Sequence, residues 1–293
     1  MTRQQLKRLE DDLWAAADNL RANSDLKASE YSTPVLGLIF LKFADINYRR
    51  HEAAIQSEYA ALQGTRLEKP VHEIAIAKCG FYLPEHARYR YLLDLPEHRD
   101  IAQAIELAME SIEHYKPELK GSLPKDEYHR LTRTDDTRDL PFDLLRQFDN
   151  IPDDATGDVF GQIYEYFLGK FAMAEGQGGG EFFTPRSVVR LMVEMIEPHG
   201  GTVFDPACGS GGMFVYGQEK QGETVKLARM NLAVNGLRGQ IAPANTYYSD
   251  EFGSLGKFDY VLANPPFNVD DVSLSSVEKD PRFNTFGLPR TKT

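Results

Sequence analysis

Residues 202–219 read TVFDPACGSGGMFVYGQE. Two short strand patterns, TVFDP and YGQE, flank a glycine-rich turn. Glycine lets a backbone approach a ligand with no side chain in the way. A glycine loop leaving a strand therefore suits a bound cofactor, and Asp205 before it suits a ligand with a cationic or hydroxyl end. Taken alone, such a loop is equally well a tight turn. Its spacing is not the G-x-G-x-x-G of dinucleotide sites. Glu219 ends YGQE, where an acid in nucleotide-binding sheets accepts ribose hydroxyls. Further on, ETVKLARMNLAVNG reads as a helix closed by Asn235-Gly236, and FDYVLA as a buried strand. The chain from Gly200 onward is expected to be α/β.

One spacing does not fit. Only MFVYGQ separates Gly212 from Glu219. A ribose acid follows its glycine loop by about 20 residues, and a parallel crossover takes about a dozen or more. Either the second strand is not parallel to the first, or a helical segment is absent. Absence is the better reading, and it predicts a spatial gap near Val215-Tyr216.

The second informative stretch is LANPPF, residues 262–267. Two prolines cannot continue a strand's ladder, and they stiffen the backbone. Taken alone, the stretch is equally well a strand end with a turn. Its chemical reading begins from an exocyclic amine on a nucleobase, whose lone pair is delocalised into the ring. To attack a methyl group, that nitrogen must move toward tetrahedral geometry. Two acceptors aimed at its hydrogens favour this: the Asn264 side-chain oxygen and the Pro265 carbonyl, held by rigid prolines. Phe267 supplies a face for the base, which has to leave the duplex to reach it. FFTP, the glycine loop, the acid and NPPF, in that order, are together far more specific than any one of them.

Between the two halves, GQGGGEFFTPR reads as a flexible loop, with Thr184 and Pro185 opening the helix SVVRLMVEMI. Apolar residues nearly encircle that helix, so it is expected to be buried. Before it, Val159, Phe160, Ile163, Tyr164, Phe167, Leu168 and Phe171 share one helical face. The first half reads as helices. Leu6, Leu9, Leu13, Ala17 and Leu20 recur at helical spacing, and a long helix is expected to start near Thr33-Pro34. IAQAIELAMESIEHY is a third helix. The polar, acidic stretch 132–156 marks the expected boundary between a helical domain, 1–150, and an α/β domain, 151–293.

Bulk composition narrows the function classes. The chain has 293 residues, 42% of them hydrophobic, and a net charge of −11. It is no basic protein that coats nucleic acid, so a local patch or a partner must supply positive charge for any DNA contact. Two distant cysteines fit a reduced, cytoplasmic setting. Cys208, in the glycine loop, reads as a small packing residue rather than a nucleophile. The histidines show no metal-ligand spacing, so no metal is expected. MTRQQLKRLEDDLW reads as a helix rather than a signal peptide, and no apolar run is long enough to span a membrane.

FDPACGSGG with a following NPPF resembles the S-adenosylmethionine-dependent amino-methyltransferases. More narrowly, GEFFTPRSVVRLM, YGQE, KLARMNLAVNG and LANPPFN resemble the methylation subunit of type I DNA restriction–modification systems. The helical first half resembles that subunit's N-terminal domain, a region for assembly and for clamping DNA. The resemblance implies a Rossmann-like S-adenosylmethionine-dependent methyltransferase sheet and N6-methylation of adenine in DNA, in a bacterial or archaeal cytoplasm. It also implies assembly of two such subunits with one specificity subunit, and in some systems with restriction subunits. Carried onto this sequence, Glu181, Phe182, Phe183, Thr184, Pro185 and Arg186 line the cofactor pocket. Asp205, Gly209, Ser210, Gly211 and Gly212 contact the cofactor, and Glu219 the ribose. Asn264, Pro265, Pro266 and Phe267 form the target-amine site.

The sequence departs from that pattern in three places. The segment after Phe214 is short, Asn245 stands where related enzymes often carry Asp, and the chain stops soon after NPPF. The sheet is therefore expected to be incomplete, with later strands and a C-terminal helical region missing. Three rival readings stand beside the main one: methylation of a glutamine amide in protein, N4-methylation of cytosine, and a non-catalytic assembly subunit.

Overall fold

The computed structural model describes residues 1–293 except 23, 25, 97, 135–136, 175–182, 214, 267–268, 270–271, 285–286 and 289–293. Two compact units form: Met1–Glu175 with Ala233–Gly236, and Gly176–Leu232 with Leu237–Thr293. The polar stretch 132–156 lies inside the first, because the helix that follows it packs with the preceding ones.

The first unit is helical. α1 (Arg3–Ala22) buries Leu6, Leu13 and Ala17 on the predicted face. Trp14 sets its ring edge-on against Phe167 and Phe171 of α8 (Gly157–Ala174). α8 in turn buries Phe160, Ile163, Tyr164, Phe167, Leu168 and Phe171, as its spacing predicts. α2 (Ala28–Leu62) begins earlier than expected and carries Pro34 inside it. Glu30 reaches back to the Lys27 N–H at 3.1 Å and anchors the earlier start. The helix then runs through the core with Val35, Leu36, Leu38, Ile39, Phe40 and Leu41 buried, so packing outweighs the hydrogen bond that proline forfeits.

Around it lie α3 (Val71–Cys79), α4 (Tyr89–Leu93), α5 (Ile101–Tyr115), α6 (Asp126–Leu131) and α7 (Leu140–Phe148). Buried charges are paired: Lys42 with Asp149 at 2.6 Å, and Asp45 with Arg49 at 2.8 Å and the Tyr89 N–H at 3.1 Å. At Gly37, α2 lies close against Pro124 and against Tyr128 of α6. A Cβ there would lie 2.3 Å from Pro124 Cγ and 2.5 Å from Tyr128 Oη, and that hydroxyl donates to the Pro34 carbonyl. Gly37→Ala is therefore expected to destabilise the unit by about 2 kcal/mol despite its better helix propensity. A denaturant midpoint unchanged from wild type would refute this close-contact account.

The second unit is α/β. α9 (Arg186–Ile196) leads to β1 (Val203–Asp205), β2 (Tyr216–Glu219), α10 (Gly222–Val234), β3 (Gln240–Pro243) and β4 (Tyr260–Val261). The described strands form one sheet in the order β3-β2-β1-β4, every pair parallel. Phe204 of β1 faces Tyr216 of β2, and Tyr216 faces Gln240 of β3. Phe204 stacks on Phe258 with ring centroids 4.7 Å apart, and Tyr216 and Phe252 close the cluster.

Three sequence expectations are corrected here. β2 is parallel to β1, yet the spatial gap expected at Val215-Tyr216 is absent. No residue is omitted there, and the Val215 carbonyl accepts the Gln240 N–H at 2.9 Å, in line with the strand that follows. The helix SVVRLMVEMI is not buried: no residue of α9 is, because no described element lies over its apolar faces. FDYVLA contributes only a two-residue strand with Val261 exposed, since β4 is an edge with one described neighbour; of the stretch, Leu262 is buried and Phe258 half-buried against Phe204. No described helix is long and apolar enough to cross a membrane.

Candidate active site

The glycine loop leaves β1 at Asp205. Gly209 and Gly211 take φ values of 53° and 89°, which β-carbons disfavour, so glycine is required there. The Cys208 N–H donates to the Gln218 carbonyl of β2 at 3.0 Å, and the Gly211 N–H returns to the Cys208 carbonyl at 3.0 Å. Cys208 packs on Val225, Ala228, Leu232 and Ile241, and burial pushes its thiol up, as its packing role requires. Glu219 ends β2 beside the loop, where the sequence puts it. Its Oε2 accepts the Gly209 N–H at 3.1 Å and its Oε1 the Gln221 N–H at 2.8 Å. Each carboxylate oxygen can accept a second hydrogen bond.

Asp205 is the most unusual group. It is fully buried, its Oδ1 accepts the Ala207 N–H at 2.9 Å, and its Oδ2 has no partner among the described residues. Burial pushes its carboxyl up to about 7, and the nearby Glu219 charge pushes the same way. A buried acceptor without a donor is costly, and a ligand with an ammonium or hydroxyl group would relieve the cost.

Across from the loop, Thr184 touches both halves of the proposed site. A Cβ on Gly212 would sit 3.8 Å from the Thr184 carbonyl, and the Thr184 Oγ1 accepts from the Asn264 Nδ2 at 3.2 Å. With its amide nitrogen held there, Asn264 has an Oδ1 that carries no hydrogen bond among the described residues. The Leu262 N–H donates to the Phe204 carbonyl at 3.0 Å and fixes the start of this stretch against β1. Asn264 is half-buried, and Pro265 and Pro266 are exposed. Phe183 is half-buried, while Pro185 and Arg186 are exposed at the start of α9. Ser210 is buried. Glu181, Phe182 and Phe267 lie outside the described residues. A cavity of about 520 Å³ lies elsewhere, in the helical unit among paired charges such as Arg49–Asp45 and Arg88–Glu52.

Family models match almost the whole chain. One, described as N-6 DNA Methylase, matches residues 155–215 and 214–293. Another, described as HsdM N-terminal domain, matches residues 9–148. Along almost its whole length the chain is similar to the methylase subunits of type I restriction enzymes. The MjaIX methylase subunit of Methanocaldococcus jannaschii is 34% identical over 92% of this chain and 53% of that protein. The HindI methylase subunit of Haemophilus influenzae is 41% identical over 45% of this chain and 34% of that protein. This chain thus spans about half the length of the first relative and less of the second. A type I restriction-modification methyltransferase subunit of Streptococcus thermophilus shares the fold at a TM-score of 0.79 and 21% identity, over 98% of this chain and 69% of that one.

Sequence reasoning missed two supports of this candidate site, Asn231 and Gln218, and the tie between Asn264 and Thr184, a residue it placed in the cofactor pocket. Asn231, on α10, donates through Nδ2 to the carbonyls of Ser210 at 3.1 Å and Gly211 at 2.9 Å, and so clamps the glycine loop from behind. Gln218, fully buried in β2, donates to Thr246 Oγ1 at 3.0 Å and the Ser249 carbonyl at 3.1 Å, and accepts the Glu251 N–H at 3.0 Å. Thr184 orients Asn264. A polar residue amid apolar ones, as in KLARMNLAV, was the available signal for Asn231. Asn245 turns its Oδ1 to the Tyr247 N–H at 3.1 Å, so that amide oxygen holds a turn. Asn231→Ala removes two hydrogen bonds to the loop and is expected to weaken cofactor affinity about tenfold. Equilibrium dialysis with labelled S-adenosylmethionine measures it, and an unchanged affinity would remove Asn231 from the loop's support.

Proposed function

We propose that this chain is the methylating subunit of a type I system and transfers a methyl group from S-adenosylmethionine to the N6 amine of an adenine flipped out of DNA. The observation that supports the reading is the Asn264–Thr184 hydrogen bond near Gly212, with the Asn264 Oδ1 carrying no hydrogen bond among the described residues. The residues present fit the cofactor. Asp205 Oδ2 would take its ammonium, the loop from Gly209 to Gly212 its amino acid part, and Glu219 its ribose hydroxyls. Glu181, Phe182, Phe183, Pro185 and Arg186 would complete the pocket. Bound S-adenosylmethionine supplies an electrophilic methyl group on a sulfonium.

The chain's own part is to hold the amine. Asn264 Oδ1 and the Pro265 carbonyl accept its two hydrogens, which favours the pyramidal nitrogen of the transition state. Pro266 keeps that carbonyl rigid, and Phe267 stacks on the extruded base. An acidic chain of charge −11 suits a subunit that leaves sequence reading to a specificity subunit. Two copies would join one specificity subunit, the helical unit serving assembly and DNA clamping, and restriction subunits would add to this in some complexes. The setting is the cytoplasm of a bacterium or archaeon.

The test is direct. The chain is copurified with its natural partners and incubated with labelled S-adenosylmethionine and unmethylated DNA, and the digested DNA is analysed by mass spectrometry. N6-methyladenine at a split, defined site is expected. N4-methylcytosine would overturn the base assignment. Label in a protein band would point to the glutamine amide, and cofactor binding without any transfer would point to an assembly subunit.

A further inference from the structure

After the NPPF stretch, residues 272–284 run through a short helix, α11 (Leu274–Val277), and a 3-10 turn, Pro281–Phe283. Val272 and Val277 are buried, so the segment is seated on the unit rather than trailing from it. Its polar contacts converge on one place. The Ser273 N–H donates to the Tyr248 Oη at 3.1 Å, and the Arg282 Nη1 donates to the Thr246 carbonyl at 2.9 Å. Asp280 aims that guanidinium. Its carboxylate accepts the Arg282 Nε at 3.0 Å, the Nη2 at 2.6 Å and the Arg282 backbone N–H at 2.9 Å. A planar fork engaged through Nε and Nη2 on one carboxylate leaves Nη1 for a second acceptor, and Thr246 supplies it.

The turn held in this way lies where the strands end. β3 closes at Pro243, and the Ala244 N–H donates to the Glu219 carbonyl at 2.9 Å, so the chain leaves the sheet beside the end of β2. The Asn245 carbonyl then accepts the N–H groups of Tyr248 at 2.9 Å and Ser249 at 3.0 Å, which closes a tight turn. Thr246 joins this turn to its neighbours. Its hydroxyl donates to the Pro206 carbonyl at the exit of β1 and accepts from the Gln218 Nε2 of β2 at 3.0 Å. Its carbonyl is taken by Arg282, 36 positions further on. In open parallel sheets, ligands lie outside these carboxyl ends. In the proposed site the amino acid part of the cofactor would lie at the loop after β1, and the ribose at Glu219 after β2. The base beyond that ribose would then lie toward β3, whose exit is the turn Asn245–Tyr248.

We propose that Arg282, aimed by Asp280, is a positioning residue for the cofactor: it fixes the turn Asn245–Tyr248 at the side of the pocket that takes the base, and so ties the segment after NPPF to cofactor binding. The choice of ligand rests on the methylation reading; the restraint on the turn rests on the hydrogen bonds alone. Two measurements separate them. In Arg282→Ala without ligand, hydrogen exchange of the Tyr248 and Ser249 amides is expected to speed up at least tenfold, while the Gly211 amide stays within about twofold. Equilibrium dialysis with labelled S-adenosylmethionine is expected to show about tenfold weaker binding. Arg282→Lys should recover only part of both effects, because one ammonium cannot fork on Asp280 and hold Thr246 together. Unchanged exchange at the turn would overturn the restraint. Faster exchange with unchanged S-adenosylmethionine affinity would overturn the positioning role and leave a structural staple. Absence of S-adenosylmethionine binding by the wild-type chain would count against the methylation reading, and this inference would fall with it. Should Arg282→Ala not fold, Asp280→Asn keeps the volume and loosens the aim. Faster exchange at the turn and about threefold weaker binding are expected there, and wild-type values for both would reject the inference.

Discussion

Asn264→Ala is expected to lower kcat for DNA methylation by about a thousandfold or more, with cofactor affinity within about twofold of wild type. The magnitude follows from losing one of two preorganised acceptors around a nitrogen that develops charge. In the proposed site Asn264 would face the amine, while Asp205, the glycine loop and Glu219 would face the cofactor, so cofactor affinity is expected to survive. The structure adds a graded companion. Thr184 Oγ1 accepts a hydrogen bond from Asn264 Nδ2 at 3.2 Å, and in that geometry the amide oxygen points away from it. Thr184→Val removes that hydroxyl and lets the amide turn, and kcat is expected to fall about tenfold to a hundredfold. Thr184→Ser, which keeps the hydroxyl, should restore most of it. Single-turnover transfer with the partner-assembled subunit measures all three variants. Full activity in Asn264→Ala would end the proposed mechanism, and equal losses in the Val and Ser variants would end the positioning role of Thr184.

The second large effect is one of pH. Asp205, whose ordinary value is 3.8, is pushed up to about 7 by burial, so the cofactor-free fold prefers its neutral carboxyl. The folded state then binds a proton that the unfolded state has already released between pH 4 and 7. This contribution to stability is present in full below about pH 4, falls as pH rises through about 7, and is absent above that. Asp205→Asn stays neutral throughout, so thermal unfolding of the variant should lack this loss between pH 5 and 8. A cation beside Oδ2 reverses the preference and stabilises the carboxylate. S-adenosylmethionine affinity is therefore expected to rise with pH toward 7 and to release close to one proton per site at pH 6. Calorimetry in two buffers of different ionisation enthalpy reads that proton. Parallel pH profiles for wild type and Asp205→Asn, with no proton released, would show that Asp205 does not meet a cation.

Local chemistry made much of this legible. YGQE is β2 from end to end, with Glu219 at its close beside the loop. The helical face of α8 follows its period. β3 was not foreseen: QIAP carries little strand propensity and is a strand because β2 pairs with it from Tyr216 to Glu219. α9 was read as buried since its pattern counts apolar residues and cannot see whether a neighbour is there to cover them.

The residue types of the site belong to the sequence by itself. Asp205, the glycines at φ values only glycine tolerates well, Glu219 and Asn264 before two prolines are fixed by covalent structure, and so is the short step from Gly212 to Glu219. The pairing of these groups was decided by tertiary structure alone. Thr184 and Asn264 stand 80 positions apart, Asn231 reaches back 21 positions to Ser210, and Asp205 keeps one oxygen without a partner among the described residues. A hydrogen bond depends on where two backbones come to lie, and burial on what else packs around them. Neither quantity is held in the local order of residues, which is why the groups could be read from the sequence and their partners could not.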